Sequence, residues 1–266
     1  MNFYRWCAEH TLLAKIILSV VFGGLYGGLW YLLNASVVFD LIAAVLGAIL
    51  VCLWVSSCHM RFLKPAILHM NNECDPYPLL HETEKQKNYK MSRLNRQLLT
   101  VNACVAKRNL GQYEQVYEEL MSLDLYENPA ALSQYKVAYL NNLFDICILM
   151  EKYEQADIWY GKMATLYNQM KNGKKKAALA SIIEGADVAY LYRMGEYNKA
   201  LSILYRKNGT NKSMQVNDAM LYARICLKIG SVEKAKEKLH FVIENGNLFY
   251  VVTEAKKLLA EIEEEQ

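Results

Sequence analysis

The sequence predicts an all-α protein, an N-terminal transmembrane helical hairpin followed by a repeating α-solenoid. Three observations carry that expectation. Only Arg5, Glu9, Lys15 and Asp40 are charged in the first 57 residues. Two long apolar runs fill that segment, 16–33 with no charge and 37–57 with Asp40 alone. Beyond Met91, apolar residues recur at three- and four-residue steps between evenly spaced turn signals, with no strand-like alternation. The chain thus divides into a hairpin over 1–57 (spans about 12–33 and 37–57), a juxtamembrane connector over 58–90 and a helical repeat domain over 91–266.

Each apolar run approaches the roughly 20 residues that a helix needs to cross a bilayer. Only Asn34, Ala35 and Ser36 separate them, so a tight hairpin is the simplest arrangement. A signal peptide would show a shorter apolar region, a small-residue cleavage site and then a polar mature chain. The second apolar run argues against that. Arg5 and Lys15 precede the first span, Arg61 and Lys64 follow the second, and the loop between has no cation. The positive-inside rule therefore places both termini and the repeat domain in the cytoplasm. Tyr4, Trp6, Trp30, Tyr31 and Trp54 lie near span ends, as interfacial aromatics do. Asp40 lies close enough to the loop to reach the outer interface.

The first span contains "VFGGLYGGLW" (21–30). Neither a dinucleotide fingerprint nor a P-loop has this spacing. Gly23/Gly27 and Gly24/Gly28 instead form two small-xxx-small rows, which Ala43/Gly47 and Ala44/Ala48 match at equal depth in the second span. Such rows let helix backbones approach closely in lipid. They predict packing within the hairpin, with a spare row for homodimerisation.

In the connector, Asp75-Pro76 reads as a helix start. Arg61, Phe62, Leu63, Lys64, Ile67 and Leu68 suit a short helix lying on the membrane surface. Cys58, His59, His69, Cys74 and His81 have metal-ligating chemistry, but their spacing matches no zinc pattern, and no metal or cofactor is expected. Lys85, Lys87, Lys90, Arg93, Arg96, Lys107 and Arg108 follow without an intervening acid. Such a series either attracts anionic headgroups or forms a solvated helix face. The net charge of +3 argues against a nucleic-acid partner. Seven scattered cysteines are not a disulfide framework.

Four segments share one grammar: "GQYEQVYEEL" (111–120), "EKYEQADIWY" (151–160), "GEYNKALSIL" (195–204) and "GSVEKAKEKL" (230–239). Their anchors, Tyr113, Tyr153, Tyr197 and Val232, are 40, 44 and 35 residues apart. Repeats of this length signal stacked helical hairpins, because one hairpin cannot bury its own apolar face. At these residues the chain resembles the tetratricopeptide family, whose turn and second helix follow G-x-[YF]-x-x-A-x-x-x-[FYL]. Gly195, Tyr197, Ala200 and Leu204 match that pattern. Gly230, Val232, Ala235, Leu239 and Gly111, Tyr113, Val116, Leu120 nearly do, and Glu151 replaces the glycine before Tyr153, Ala156 and Tyr160. The first-helix pattern is weak except around Tyr222-Ala223, and the terminal prolines are missing. The resemblance covers about 91–247, with 249–264 as a capping helix.

The resemblance implies a non-enzymatic scaffold that binds a protein or peptide on its concave, first-helix face. Register carried back from each turn puts Arg108, Asn109, Asn141, Asp145, Tyr192, Arg193, Asn217, Arg224 and Lys228 on that face. The set is net basic, which favours an acidic segment or a C-terminal carboxylate. No nucleophile–base or acid–base pair is supported by spacing, which argues against an enzyme. The alternatives are a membrane-tethered helical repeat reading nucleic acid, or an accessory subunit of a membrane-bound enzyme or transport complex.

Overall fold

The structure, a computed structural model, describes residues 3–33, 37–58, 60–207 and 209–264, with the side chains of 28–33, 37–41 and 56 outside that description. The described residues form helices and turns, with no strand, so the chain is all-α. Helices α1 (Phe3–Glu9), α2 (Thr11–Leu33) and α3 (Val37–Ser57) cover the N-terminal segment. The connector forms α4 (Met60–Glu73) and α5 (Tyr77–Lys87). Then follow α6 (Arg93–Asn109), α7 (Tyr113–Met121), α8 (Ser133–Leu149), α9 (Tyr153–Gln169) and the short α10 (Lys174–Ala177). The chain ends with α11 (Ala180–Arg193), α12 (Tyr197–Arg206), α13 (Lys212–Lys228), α14 (Val232–Asn245) and α15 (Val251–Glu264).

Among the described residues, one stretch is long and apolar enough to cross a membrane by length and composition: Ile42–Glu73, where α3 runs on into α4. The other candidate needs α1 joined to Thr11–Gly27, and these are bent by 117° at the break. Helices α2 and α3 pack together yet expose Leu12, Ile16, Val20 and Leu25 on one and Ile42, Leu46, Leu50 and Leu53 on the other. The predicted turn at 34–36, the side chains of Trp30, Tyr31 and Asp40, and the surroundings of Gly28 lie outside the described residues.

The described part of the small-residue rows shows one close approach. A Cβ at Gly23, Gly24 or Gly27 would find nothing within 4 Å, whereas one at Gly47 would fall 1.8 Å from the Phe22 ring. One aromatic ring from α2 thus lies over one glycine of α3. Ala43, Ala44 and Ala48 are half-buried.

Helix α1 folds back onto the connector. Arg5 Nη1 donates to Glu82 Oε1 at 2.6 Å and to Tyr89 Oη at 3.1 Å. Its guanidinium also lies 3.9 Å from the centre of the Phe62 ring, as that of Arg61 does from Tyr4. Cys7, Ala8, Ala14, Val55, Cys58 and Tyr89 form one buried cluster beneath. The feet of α2 and α3 are therefore packed onto α1 and the end of the connector, not loosely linked to them.

The connector is not a surface helix. Leu63, Ala66 and Met70 of α4 are buried in one core with Leu99 and Ala106 of α6, Val216, Met220 and Ala223 of α13, and Ala255 of α15. An apolar stripe of this kind is satisfied by either lipid or a protein core; here α13 covers it. Asp75 does open α5, its Oδ1 accepting from Tyr77 N at 3.0 Å.

The four repeated segments adopt one turn. Gly111, Glu151, Gly195 and Gly230 all have left-handed φ, at 78°, 57°, 75° and 76°. After each, the next N–H reaches back to a carbonyl five residues earlier: Gln112 to Lys107, Lys152 to Cys147, Glu196 to Leu191 and Ser231 to Cys226. This pattern closes a helix C-terminus around a left-handed residue. Glycine adopts that conformation freely; Glu151 adopts it against the clash of its Cβ. The following helix then buries a small or branched residue, Val116, Ala156, Ala200 or Ala235, each at most 1% exposed.

The turn between α14 and α15 meets the ends of α4 and α6. Tyr250 N donates to Asn109 O at 2.8 Å, and the Tyr250 ring meets Tyr113 edge-on at 5.9 Å. Leu248 N and Asn247 Nδ2 donate to the carbonyls of Cys74 and Glu73. This turn links the C-terminal helices to the start of the helical region.

Candidate functional site

Beside this junction lies a half-open cavity of about 360 Å³. It is lined by α6, α8, α11 and α13, the first helix of each pair, and by α15. Room exists because α11 presents Ser181, Gly185 and Ala189 toward it, one turn apart, where larger side chains would fill the space. Apolar walls come from Ile148, Leu149, Ile182 and Leu221.

Of the nine residues predicted for the concave face, Arg108, Asn109, Asn141, Asp145, Asn217 and Arg224 line the cavity. Tyr192, Arg193 and Lys228 do not. Tyr192 packs against Tyr197, with ring centres 5.9 Å apart, Arg193 pairs with Asp157 on α9, and Lys228 is exposed at the end of α13.

The lining is not net basic. Arg108 pairs with Asp145, whose Oδ2 also accepts from Asn141 Nδ2 at 3.0 Å. Arg224 Nη2 meets Glu254 Oε2 at 3.1 Å, and Lys207 Nζ donates to Asp218 Oδ1 at 2.6 Å. Burial pushes the Asp145 carboxyl above its usual pKa, against the opposing pull of Arg108. Burial does the same to Asp218, opposed by Lys207. The second carboxylate oxygen of Asp218 is buried and has no hydrogen-bond partner among the described residues. Three cations and three acids therefore share the cavity, and an incoming anion must displace a resident carboxylate.

Sequence reasoning missed Lys207, Asp218, Glu254 and Gly185. The i, i+4 spacing of Ser181, Gly185 and Ala189 was a readable signal for an open helix face. Glu254 reaches Arg224 only because α15 folds back, which no local pattern encodes.

Of the metal-type residues in the connector, Cys58 is buried beneath α1 and Cys74 beside α13, while His69 Nε2 lies 3.3 Å from Asp75. His59 lies outside the described residues. Among the described residues, no three His, Cys, Asp or Glu side chains converge on a metal position.

No protein-family model matches the chain, and no curated protein or solved structure matches it. Function has to be argued from the cavity and its setting.

Proposed function

We propose that the protein is a membrane-anchored, non-enzymatic adaptor. Helices α2 and α3 form a two-span hairpin with both ends in the cytoplasm. The remaining helices form a divergent tetratricopeptide-like array, whose first-helix face holds a short segment of another protein. The observation that carries this reading is the cavity built from the first helix of four successive pairs. Its volume of about 360 Å³ lies near the lower end of ligand pockets generally, about 300–1,000 Å³. That size favours a chain terminus or a few side chains over a whole helix. An acidic side chain or C-terminal carboxylate would exchange for Asp145 or Glu254 as the partner of Arg108 or Arg224, with bidentate geometry favouring the guanidinium groups.

The membrane reading is supported by the outward apolar faces of α2 and α3, far more continuous than soluble monomers expose. The aromatic group Phe3, Tyr4, Trp6 and Trp54 sits at the foot of both helices, with Phe3 and Trp54 ring centres 6.1 Å apart. Such residues favour the membrane–water boundary.

The test is affinity purification of the full-length protein in mild detergent, wild type against Gly185→Leu. A leucine there adds bulk at the cavity wall, its Cβ meeting Lys207 Nζ at 3.3 Å. The expected result is one stoichiometric protein partner with the wild type and its loss with the variant, at unchanged helical content. Retention of that partner by the variant removes the cavity from the interaction.

A further inference from the structure

The basic series between Lys85 and Arg108 separates into two groups. Lys87 pairs with Glu84 at 2.7 Å, Arg93 with Asp124 at 2.6 Å, Lys107 with Glu119 at 2.5 Å, and Arg108 with Asp145. Lys85, Lys90 and Arg96 make no ion pair among the described residues. Lys90 lines a second cavity, of about 380 Å³, in the elbow where α1 and the foot of α2 meet the α5–α6 junction. Lys15 of α2 lines it too, and also has no ion pair among the described residues.

This cavity has a polar side and an apolar side. Ser92 and Asn95 join the two lysines. Ser92 Oγ accepts from Asn95 N at 3.2 Å, which leaves its own O–H as a donor. No carboxylate contributes to the lining, in contrast to the cavity inside the array. The apolar side is Ala8, Leu12, Met91 and Leu99. Leu12 is 67% exposed and continues into the outward face of α2 through Ile16 and Val20.

We propose that this elbow binds the phosphate headgroup of an anionic phospholipid, with Lys15 and Lys90 on the phosphate and an acyl chain running along Leu12 and Ile16. The proposal rests on the membrane reading of α2 and α3. Charge complementarity selects an anion, because two lysines line a space to which no carboxylate contributes. The apolar side selects a lipid over free phosphate, which would gain nothing from Leu12 or Met91. Because one wall belongs to α2 and the other to the α5–α6 junction, the bound lipid ties the membrane anchor to the helical array.

The test uses the full-length protein in mild detergent, titrated with fluorescent phosphatidylglycerol or phosphatidylcholine and with inorganic phosphate as competitor. Phosphatidylglycerol should bind more tightly than phosphatidylcholine. Lys15→Gln with Lys90→Gln should weaken it about 25-fold, about fivefold for each lysine. Lys174→Gln with Lys175→Gln removes the same charge from the exposed short helix α10 and should leave binding unchanged. Equal affinity of wild type and the Lys15/Lys90 variant overturns the proposal, as does an equal loss in the control variant. Displacement of the lipid by an equal concentration of inorganic phosphate assigns the cavity to free phosphate and overturns the lipid occupant. Carbonate extraction of cell membranes separates this from the anchor itself. Protein that stays in the membrane but fails to discriminate lipids overturns the site alone. Release into the soluble fraction overturns the anchor together with the site.

Discussion

The two ends of the molecule use the same side chains in opposite directions. In α2 and α3 the large apolar residues point outward, and Leu50 is 66% exposed. In α6, α8 and α13 they point inward, and Leu140, Leu143, Phe144 and Ile225 are at most 1% exposed. Glycine differs in the same way. Gly24 sits inside a helix beside open space, while Gly195 sits in a turn at φ 75°. The first region leaves its large apolar side chains on the outside, and the second buries them away from water.

The sharpest way to break this comparison is to put a charge at one exposed apolar position in each region. Leu50→Lys should cost about 3 kcal/mol of membrane insertion if α3 spans the bilayer. Ile158→Lys, at 55% exposure on α9, should change stability by no more than about 0.5 kcal/mol. Carbonate extraction measures the first and thermal unfolding in detergent the second. Equal, small effects would mean that α3 faces water.

The next effect tests which glycine matters between α2 and α3. Gly47→Leu collides with the Phe22 ring and should destabilise the pair by about 1–3 kcal/mol. Gly24→Leu enters open space and should leave the monomer unchanged. Cross-linking yield between cysteines introduced on α2 and α3 reads both. A larger loss at Gly24 would restore the matched-row packing.

The repeat turns give a smaller and two-sided effect. Gly195→Ala should destabilise the array by about 1–2 kcal/mol through its left-handed backbone. Glu151→Gly should stabilise it by about 1 kcal/mol, since Glu151 holds the same conformation with a side chain. Urea unfolding of the full chain in detergent checks both signs.

The smallest effect is a pH dependence. Burial raises the Glu119 pKa, but the hydrogen bond and charge of Lys107 outweigh it and hold the carboxyl below its usual 4.5. The stabilisation is therefore present above about pH 4.5 and is lost as the pH falls through the lowered value. Asp145 and Asp218 have raised values, so their contributions move the other way. Acid titration of the urea midpoint for wild type against Glu119→Gln isolates the effect. The gap between them should close in acid.

Much of the repeat region was legible. Tyr113, Tyr153, Tyr197 and Val232 each begin a helix, because the left-handed turn before them depends on local backbone geometry. Six of nine predicted concave-face residues line the cavity for the same reason, since helical register carries over three or four turns without tertiary information. The electrostatics were not legible. Arg224 meets Glu254 across 30 positions, and Arg193 meets Asp157 across 36, pairings set by how helices stack. The stripe of α4 was equally ambiguous, because a membrane surface and the side of α13 reward the same pattern.

The sequence by itself determined the helices, their turns and the contrast between an apolar N-terminal segment and a repeating remainder. These follow from hydrophobic periodicity and from which residues tolerate a left-handed backbone, both local properties. Only the tertiary structure decided that the α14–α15 turn meets the end of α6 beside the cavity. It also decided that the cavity's cations carry their own acids, and that Phe22 rather than a glycine row meets Gly47. Each of these depends on contacts between residues far apart in the chain, where packing and charge pairing select among arrangements that local patterns leave equal.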